Sequence, residues 1–419
     1  MAARDISPAL KVLLTTDWWE PAVNGVVASV STLRRHLEML GCEVRVLTLA
    51  PGLRSRRRDG VYELGSVSAA LVYDQARIGM LSHRRMLREI LDWAPDVVHS
   101  HCEFSTHVWA RRIARDLDVP LVHTYHTIYE DYTHYYSPSR TMGRKAVAAF
   151  SRKLLHSTDA VIAPTAKVAR LLEGYHVERP VHVIPTGLDL ERLRPARTEA
   201  ERADAAELRR RLRIGPGDTV LLSVCRLAKE KNVDEVIDHL AAADRPGAVL
   251  VIVGDGPYRA ELEAKVARLG IGAQVRFVGV VDPAEVSRWY RIGDVFVSAS
   301  QSETQGLTFI EALACGVPLL CRRDPSLDAV VVEGVTGFCF EDAAGFAAGL
   351  DRLLSSSALR ATMSAGALEH ARRTCGADAF ARSVEDVYRG VIARRADARY
   401  MSAALTAVGA MDRSLAMSA

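Results

Sequence analysis

The chain of 419 residues is longer than one ordinary hydrophobic core can organise, so two domains are expected. A content of 49% hydrophobic and 25% charged residues excludes a fibre or a disordered chain and is typical of a globular enzyme. The net charge of +3 is too small to predict a nucleic-acid partner. Residues 1–187 hold 24 of the 54 basic and 19 of the 51 acidic residues, so the positive charge lies in the first half.

The apolar segments and the cysteines predict a cytoplasmic protein. The N-terminal stretch "MAARDISPAL" has no apolar core of a signal peptide, and no uninterrupted apolar run reaches the roughly 18–20 residues of a membrane span. Seven cysteines without a C-x-x-C pair favour reduced, buried thiols. The small-residue-rich segment 399–419 is predicted to be a mobile tail.

Short β-branched runs alternate with amphipathic segments through the first half of the chain, which is the rhythm of βα units in a doubly wound sheet. The predicted strands are "KVLLTTD" (11–17), "VRVLTLA" (44–50), "DVVHSH" (96–101), "PLVHTYH" (120–126), "AVIAPT" (160–165) and a closing "VHVIPTG". We therefore expect a first Rossmann-like domain over residues 1–188.

The same rhythm restarts after a charged stretch and predicts a second domain over residues 189–378. Its predicted strands are "TVLLSVC" (219–225), "AVLVIVGDG" (248–256), "VRFVGVV" (275–281), "DVFVSAS" (294–300) and "GVPLLC" (316–321). Ligands of such sheets bind at the carboxyl ends of the strands, so the sites are expected in the loops after strands, facing a cleft between the domains.

The stretch "SETQGLTFIEALACGVP" (302–318) follows a strand and opens a helix. It places Glu303 and Glu311 on either side of backbone N–H groups at a helix N-terminus, where an anion is favoured. Two carboxylates around a phosphate cradle suit a sugar nucleotide, which has hydroxyl groups at both ends. An ordinary capped helix with solvated glutamates is the alternative, and spacing alone does not decide between them.

Three further strand-end loops favour the sugar nucleotide. In "SVCRLAKEKN", Arg226 and Lys231 are placed to converge on phosphates as charge-assisted donors. The glycines of "VGDGPY", Gly254 and Gly256, allow the backbone to approach a ligand closely. In the first domain, the pair Asn24–Gly25 precedes a helix whose N-terminus is expected to face the diphosphate, with a plain turn and N-cap as the alternative.

Together these pieces resemble the retaining glycosyltransferases of family 4, and the resemblance spans almost the whole chain. The matching pieces are "PAVNGV", "DVVHSH", "YHT", "IPTGLD", "RLAKEKN", "GDGP" and the E-x7-E pattern from Glu303 to Glu311. The resemblance implies an α/β protein of the GT-B fold, with two Rossmann-like domains facing a central cleft and a C-terminal helix, residues 379–398, that crosses back to the first domain.

The resemblance also implies roles for individual residues. Arg226 and Lys231 would bind the donor diphosphate, and Glu303 would contact the sugar hydroxyls. Gly306, Leu307 and Thr308, in the same loop as Gln305, would hold phosphate or sugar through their backbone, Glu311 would hydrogen-bond the ribose, and His126 would contact the donor sugar near the reaction centre.

Within the family, "HTYHTIYEDYTHY" and "SETQGLTFIEA" look most like the glucosyltransferases that make α-glucosyl-diacylglycerol from UDP-glucose. The Tyr-rich stretch beyond His126 then becomes an expected rim of the acceptor pocket, shaped by Tyr125, Tyr129, Glu130 and Asp131, because tyrosine is apolar along its ring and polar at its tip. An aromatic corner of the core remains the alternative for these tyrosines.

Two basic segments of the first domain are expected to contact an anionic membrane at the inner face of the plasma membrane. Ordinary solvated basic faces remain the alternative for both. The expected contact residues are Arg54, Arg56, Arg57 and Arg58 in "RSRRR", and Arg140, Arg144, Lys145, Arg152 and Lys153 in a basic amphipathic helix over residues 139–156.

The resemblance implies a same-face transfer in which the leaving diphosphate takes the proton of the incoming hydroxyl. Positioning and charge stabilisation are then the tasks of the protein. No protein-bound metal and no tightly bound cofactor are expected, because the D-x-D from Asp116 to Asp118 is predicted to be a solvated turn. Magnesium is allowed a stimulating role through the phosphates, and a monomer or weak dimer is expected.

Three alternative functions remain open. One is a family-4 mannosyltransferase that uses GDP-mannose and a phosphatidylinositol-type lipid or another glycan acceptor. A sugar-nucleotide 2-epimerase shares the two-domain architecture but would act without an acceptor. A non-catalytic sugar-nucleotide sensor is disfavoured, because it has no need of the complete set of Arg226, Lys231, Glu303, Glu311 and His126.

Overall fold

The computed structural model describes residues 9–22, 24–69, 77–79, 84–130 and 139–416 of the chain. Within these residues, two separate parallel sheets are flanked by helices, as the alternation of β-branched and amphipathic segments predicted. None of the helices described is both long enough and apolar enough to cross a bilayer.

The first domain is built on a sheet whose central strands are buried on both faces. Its strands are β1 (Lys11–Thr15), β2 (Glu43–Leu49), β3 (Arg56–Arg58), β4 (Val61–Leu64), β7 (Val97–Ser100), β8 (Leu121–Thr124), β9 (Ala160–Ala163) and β10 (Val181–Val183), and a separate antiparallel ribbon contains β5 (Ser66–Ser68) and β6 (Arg77–Gly79). In the described residues the order is β10-β9-β8-β7-β1-β2-β4-β3, and only β3 pairs antiparallel.

Helices cover both faces of this sheet and bury its alternating side chains. They are α1 (Gly25–Met39), α2 (Arg84–Trp93), α3 (Ser105–Asp116), α4 (Arg140–Leu155) and α5 (Ala166–Gly174). On β1, Val12 and Leu14 join the core on one face, and Leu13 joins the core on the other. Because alternate residues of a strand point to opposite faces, a near-continuous apolar run is what a strand buried on both sides requires.

The second domain repeats this architecture with an entirely parallel sheet. Its strands are β11 (Thr219–Val224), β12 (Ala248–Val253), β13 (Val275–Gly279), β14 (Val295–Ser298), β15 (Leu319–Arg322) and β16 (Gly337–Phe340), and the described order is β13-β12-β11-β14-β15-β16. Its helices are α6 (Glu199–Arg211), α7 (Val233–Ala243), α8 (Arg259–Leu269), α9 (Val286–Tyr290), α10 (Leu307–Ala314), α11 (Ala343–Ser355) and α12 (Ser357–Thr374), with short 3₁₀ helices at Lys229–Lys231 and Pro325–Leu327.

The chain crosses between the domains at two points that touch each other. The N–H of Leu188 donates to the carbonyl of Cys375, and the N–H of Ala377 donates to the carbonyl of Leu188. A Cβ on Gly187 would lie 2.6 Å from the Cα of Ala377, so only glycine fits at this crossing. These contacts fix where the C-terminal segment leaves the second domain.

The last helix, α13 (Ala377–Ala416), packs back on the first domain. Phe380, Val384 and Tyr388 are buried in the same core as Val12 and Leu33. A mobile tail was predicted from residue 399, whereas in the structure the helix continues to Ala416. Alanine, leucine and methionine, which have high helix propensity, make up much of this extension.

The basic segment "RSRRR" contains a strand in the structure. Arg56–Arg58 form the edge strand β3, which pairs antiparallel with β4. The ladder hydrogen bonds to β4 determine this conformation, although arginine has no strong strand preference of its own.

Candidate active site

The two domains touch at the carboxyl ends of their strands, where the predicted site residues lie. The hydroxyl of Thr165 donates to the carbonyl of Thr304 at 2.7 Å. The nearest second-domain atom to a Cβ built on Gly25 is Leu307 Cδ1, at 3.8 Å. The N-termini of α1 and α10 therefore lie against each other across the boundary between the domains.

The clearest pair in the site joins Lys231 and Glu303. Lys231 Nζ donates to Glu303 Oε1 at 2.6 Å, and the hydroxyl of Ser300 donates to the same oxygen at 2.7 Å. Burial raises the pKa of Glu303, but the charge and hydrogen bond of Lys231 and the bond from Ser300 leave that pKa below its ordinary value. Glu303 is therefore a charged hydrogen-bond acceptor held in one orientation.

The neighbourhood of β11 and β14 in the sheet explains this pairing. Lys231 follows β11 and Glu303 follows β14, and the two strands are hydrogen-bonded neighbours. Arg226 also follows β11 and lies exposed at the same edge of the sheet. The structure thus brings Lys231 and Glu303 into contact and leaves Arg226 accessible beside them.

The two predicted glycines of the loop after β12 are required by backbone packing, whether or not they contact a ligand. A Cβ on Gly254, whose φ is +128°, would lie 2.0 Å from the carbonyl oxygen of Cys225. A Cβ on Gly256 would lie 2.3 Å from the carbonyl oxygen of Leu227. Both glycines therefore allow the β12 loop to pack on the backbone of the β11 loop, which carries Arg226, and donor binding by them stays a prediction.

The residue just before helix α10 is a glycine, and a larger residue would not fit easily in its place. Gly306 has φ +73°, and a Cβ there would lie 2.5 Å from the ring of Phe309. Within the described residues no side chain caps this helix, so the N–H groups at Leu307 and Thr308 are not taken by an N-cap side chain. These groups are the expected donors to phosphate or sugar oxygens.

Glu311 lies one turn further along α10 and is partly buried. The hydroxyl of the fully buried Tyr290 donates to its Oε2 at 2.7 Å. Burial raises the pKa of Glu311, and this effect outweighs the opposing hydrogen bond from Tyr290 and the charge of Arg192. Its orientation is thus fixed by a neighbour that sequence spacing did not reveal.

Gln305 is buried and holds the other domain. Its Oε1 accepts from the N–H of Thr186 at 2.9 Å, and its Nε2 donates to the carbonyl of Thr186 at 3.1 Å. The side chain predicted to bind the donor is therefore occupied by a backbone contact between the domains. Donor binding by Gln305 stays a prediction.

Asn24 caps helix α1 as the plain-turn alternative described. Its Oδ1 accepts from the N–H of Val27 at 2.9 Å, and Gly25 is the first residue of the helix. Because Gly25 also faces Leu307, the cap and the expected approach to the cleft are compatible. The helix N-terminus is in place, and its contact with a diphosphate stays a prediction.

His126 lies just beyond β8 and contacts a second histidine. Its Nε2 is 3.0 Å from Nδ1 of His101, and the two rings are stacked with centroids 5.3 Å apart. Burial lowers the pKa of His126 to about 3, and the charge of His123 acts in the same direction. The imidazole of His126 is therefore neutral at physiological pH.

The predicted acceptor residues have different environments. Tyr125 is fully buried in the core under α4, and its hydroxyl lies 3.0 Å from that of Ser151, so the alternative of an aromatic core corner is the right one for it. Tyr129 is partly buried and donates to Glu103 Oε2 at 2.5 Å. Glu130 pairs with Arg144 at 3.3 Å. Asp131 lies outside the described residues.

Some of the predicted membrane residues pair with carboxylates of the protein. Arg56, Arg57 and Arg58 each contact a carboxylate, those of Glu63, Glu89 and Asp59 respectively. Arg144 of α4, a helix that begins at Arg140, is paired with Glu130. These four paired arginines are exposed, and so are Arg54, Lys145, Arg152 and Lys153.

Sequence reasoning missed two groups of buried polar residues. Lys167 Nζ donates to Asp324 Oδ1 at 2.8 Å and to the carbonyl of Gln301 at 2.9 Å, which is a further contact between the domains. Glu103 and Asp17 are buried beyond β7 and β1, and burial raises the pKa of Glu103 to about 7 and that of Asp17 to about 6. Their positions after predicted strands were the available signal.

The described residues contain no group of three or more His, Cys, Asp or Glu side chains arranged to hold a metal ion. The two carboxylates of the predicted D-x-D have different partners. Asp116 pairs with Arg112 and Arg115, and Asp118 pairs with Arg395 and Arg399 of α13. Metal dependence stays a prediction.

Comparison with known families finds two matching models. Residues 23–192 match the model described as Glycosyltransferase Family 4, and residues 204–370 match the model described as Glycosyl transferases group 1. The two matches cover the two sheet domains one after the other.

Known relatives are similar over most of the chain. An alpha-monoglucosyldiacylglycerol synthase of Streptococcus pneumoniae is 35% identical over 333 residues, 78% of this chain and 74% of that protein. The enzyme of the same name from Acholeplasma laidlawii is 29% identical over 392 residues, 91% of this chain and 98% of that protein. A D-inositol 3-phosphate glycosyltransferase of Frankia alni is 32% identical over 409 residues, 87% and 94% of the two chains.

Solved structures confirm the fold. Anabaena HepE, in complex with UDP-glucose, matches 91% of this chain and 100% of its own with a TM-score of 0.70 at 17% identity. WaaG, a glycosyltransferase involved in lipopolysaccharide biosynthesis, matches 90% and 100% with a TM-score of 0.67 at 19% identity. At these identities the likeness shows the fold alone, which is the predicted GT-B arrangement of two Rossmann-like domains.

Proposed function

Because the chain belongs to glycosyltransferase family 4, we propose that it transfers glucose from UDP-glucose to the hydroxyl of diacylglycerol, with retention of anomeric configuration, at the inner face of the plasma membrane. Membership of the family makes the chain a glycosyltransferase. The similarity to two alpha-monoglucosyldiacylglycerol synthases supports glucose as the transferred sugar and diacylglycerol as the acceptor.

The contact of Lys231 with Glu303 beside the N-terminus of α10 carries the proposal. A charged carboxylate fixed by Lys231 and Ser300 can accept hydrogen bonds from sugar hydroxyls, while Arg226 and the α10 N–H groups can bind the diphosphate. Glu311, further along α10, would accept a hydrogen bond from the ribose. UDP-glucose has its diphosphate between these two sets of hydroxyls, and HepE, which shares the fold, has been solved with UDP-glucose.

The chemistry asks mainly for positioning and charge stabilisation. As the bond between glucose and the diphosphate breaks, negative charge grows on the leaving phosphate, and Arg226, Lys231 and the helix N-terminus stabilise it. The acceptor hydroxyl attacks from the same face and gives its proton to that phosphate. Lys231 occupies one oxygen of Glu303, which suits the carboxylate to holding the sugar rather than to attacking it.

An exposed apolar patch beside the basic helix supports a lipid acceptor. We define the apolar patch as Phe104, Val108, Met142 and Phe150, which are 49%, 58%, 70% and 43% exposed. The rings of Phe104 and Phe150 are stacked with centroids 6.4 Å apart, so α3 and α4 present one surface. Exposed Lys145, Arg152 and Lys153 on α4 add attraction to anionic lipid. A water-soluble acceptor requires no such surface.

The proposal is tested by offering labelled UDP-glucose and, separately, labelled GDP-mannose to the purified protein. Each donor is combined with anionic liposomes that contain or lack diacylglycerol, and with inositol 3-phosphate in place of liposomes. We expect label in lipid only with UDP-glucose and diacylglycerol. Label from GDP-mannose would support the mannosyltransferase, and transfer to inositol 3-phosphate would place the chain with the function named for the Frankia relative.

A further inference from the structure

Five neutral histidines lie together in the first domain, four of them in or just after β7 and β8 and one in the first turn of α3. They are His99, His101, His107, His123 and His126. Burial lowers the pKa of every one of them, to about 3 for His107, His123 and His126, and for all but His123 the charges of neighbouring members act in the same direction. A neutral imidazole has one N–H and one lone pair, so each ring has its proton on either Nδ1 or Nε2.

His101 is confined between two other rings of this cluster. Its centroid lies 4.0 Å from that of His99 on one side and 5.3 Å from that of His126 on the other. His99 is itself fixed, because its Nδ1 lies 2.6 Å from the hydroxyl of Tyr388 on α13 and its Nε2 lies 2.7 Å from the hydroxyl of Thr124. The C-terminal helix therefore supports the ring against which His101 packs.

The two nitrogens of His101 have different surroundings. Nδ1 is 3.0 Å from Nε2 of His126, whereas Nε2 is buried and has no hydrogen-bond partner among the described residues. If Nε2 carried the proton, a buried N–H donor would be left unpaired, which folded proteins rarely contain. A proton on Nδ1 leaves only a lone pair unpaired and makes His101 the donor to His126.

We propose that His101 is a positioning residue that donates from Nδ1 to Nε2 of His126 and thereby holds the proton of His126 on its own Nδ1. The Nδ1–H of His126 then becomes a fixed donor to an oxygen of the bound sugar nucleotide. The inference rests on the proposed function and on the role that the family resemblance implies for His126, which is contact with the donor sugar. His101 itself acts only through His126.

The tautomer of His126 can be read directly by NMR of protein with isotope-labelled histidine nitrogens, with a His126→Gln spectrum to assign its signals. We expect His126 in the wild-type protein to be neutral, with a protonated Nδ1 and an unprotonated Nε2. A proton found on Nε2 of His126 overturns the proposal. This reading needs neither donor nor acceptor, so it stands or falls separately from the proposed function.

Two substitutions of His101 separate positioning from packing. His101→Asn keeps an N–H group near the place of Nδ1, whereas His101→Phe keeps a ring and removes the donor. We expect His101→Phe to lower kcat about tenfold or more at nearly unchanged KM for the donor. His101→Asn is expected to keep most of the wild-type kcat. In His101→Phe, the proton of His126 is expected to move from Nδ1 to Nε2.

Equal kcat values for His101→Phe and the wild-type protein would overturn the positioning role. If His101→Phe does not fold, the positioning role is tested by the tautomer of His126 in the wild-type protein and by the kcat of His101→Asn, which should stay close to that of the wild type. Absence of glucose transfer by the wild-type protein, together with the expected tautomer, would refute the proposed function and leave the donation from His101 to His126 in place.

Discussion

The amide of Gln305 makes two hydrogen bonds with one residue of the other domain, receiving the N–H of Thr186 at 2.9 Å and donating to its carbonyl at 3.1 Å. Both partners are buried. Since the next residue, Gly306, is the N-cap of α10, this contact ties the loop that leads into α10 to the first domain. The way in which the two domains dock therefore helps to position the candidate site.

Replacement of Gln305 by alanine is expected to destabilise the protein. Thr186 would keep a buried N–H and a buried carbonyl without their partner, at a cost of about 2 kcal/mol in total. The expected fall in melting temperature is about 4–8 °C. Gln301→Ala is the matched control, because Gln301 is exposed and lies in the same loop. Equal melting temperatures of the two variants would contradict the inter-domain role.

Replacement of Glu303 by glutamine is expected to lower kcat about a hundredfold or more, because the charged acceptor for the sugar and the partner of Lys231 are both lost. Steady-state kinetics with UDP-glucose and diacylglycerol vesicles measure the effect. Glu341→Gln serves as control, since Glu341 is exposed and pairs only with Arg323 among the described residues. A kcat for Glu303→Gln within about twofold of the control would remove Glu303 from the site.

The buried carboxyl of Glu103 makes stability depend on pH. Burial raises its pKa from 4.5 to about 7 in the folded protein, so the folded state holds a proton that the unfolded state has released between these values. Stability from this group is fully present below about pH 4.5 and is lost as the pH rises through about 7, a change on the order of 3 kcal/mol.

Urea unfolding of the wild-type protein and Glu103→Gln across this pH window isolates that contribution. The histidines act in the opposite direction, because their lowered pKa values cost stability as the pH falls. We expect the difference in unfolding free energy between the two proteins to change with pH, in the sense that the wild type loses stability relative to the variant as the pH rises. Parallel pH profiles would mean that Glu103 is charged when buried.

The contact of Lys231 with Glu303 in the candidate site was predictable because it depends on strand order. Residues after neighbouring parallel strands meet at one edge of a sheet, and this brings Lys231 and Glu303 together across 72 positions of the sequence. The contact of Gln305 with Thr186 was not predictable in this way, since it depends on how the two domains meet. Local patterns contain no information on that docking.

The first domain shows a second limit of sequence patterns. Tyr125 and Tyr129 lie four residues apart in one aromatic stretch, yet the first is a core residue and the second reaches Glu103. Beyond the end of a strand the alternation of faces no longer holds, so composition cannot separate rim from core. The histidine cluster was missed for a related reason, because buried polar residues within strands look like interruptions of an apolar run.

Removal of the aromatic part of the apolar patch is expected to weaken membrane binding. The double substitution Phe104→Ser and Phe150→Ser should lower partitioning onto anionic liposomes about tenfold or more, because each ring buries apolar area in the lipid interface. Sedimentation with liposomes measures this. Val280→Ser is the control, since Val280 is 79% exposed on the second domain. Equal binding by the double variant and the control would place the membrane contact elsewhere.

The most direct test of the account is the anomeric configuration of the lipid product made from UDP-glucose and diacylglycerol vesicles. The donor glucose is α-linked, so a retaining transfer gives α-glucosyl-diacylglycerol, which the anomeric proton coupling in the NMR spectrum identifies. The account predicts the α product, lost in Glu303→Gln. A β-linked glucolipid would contradict the same-face mechanism, and a glycosylated product formed only with a water-soluble acceptor would contradict the lipid acceptor.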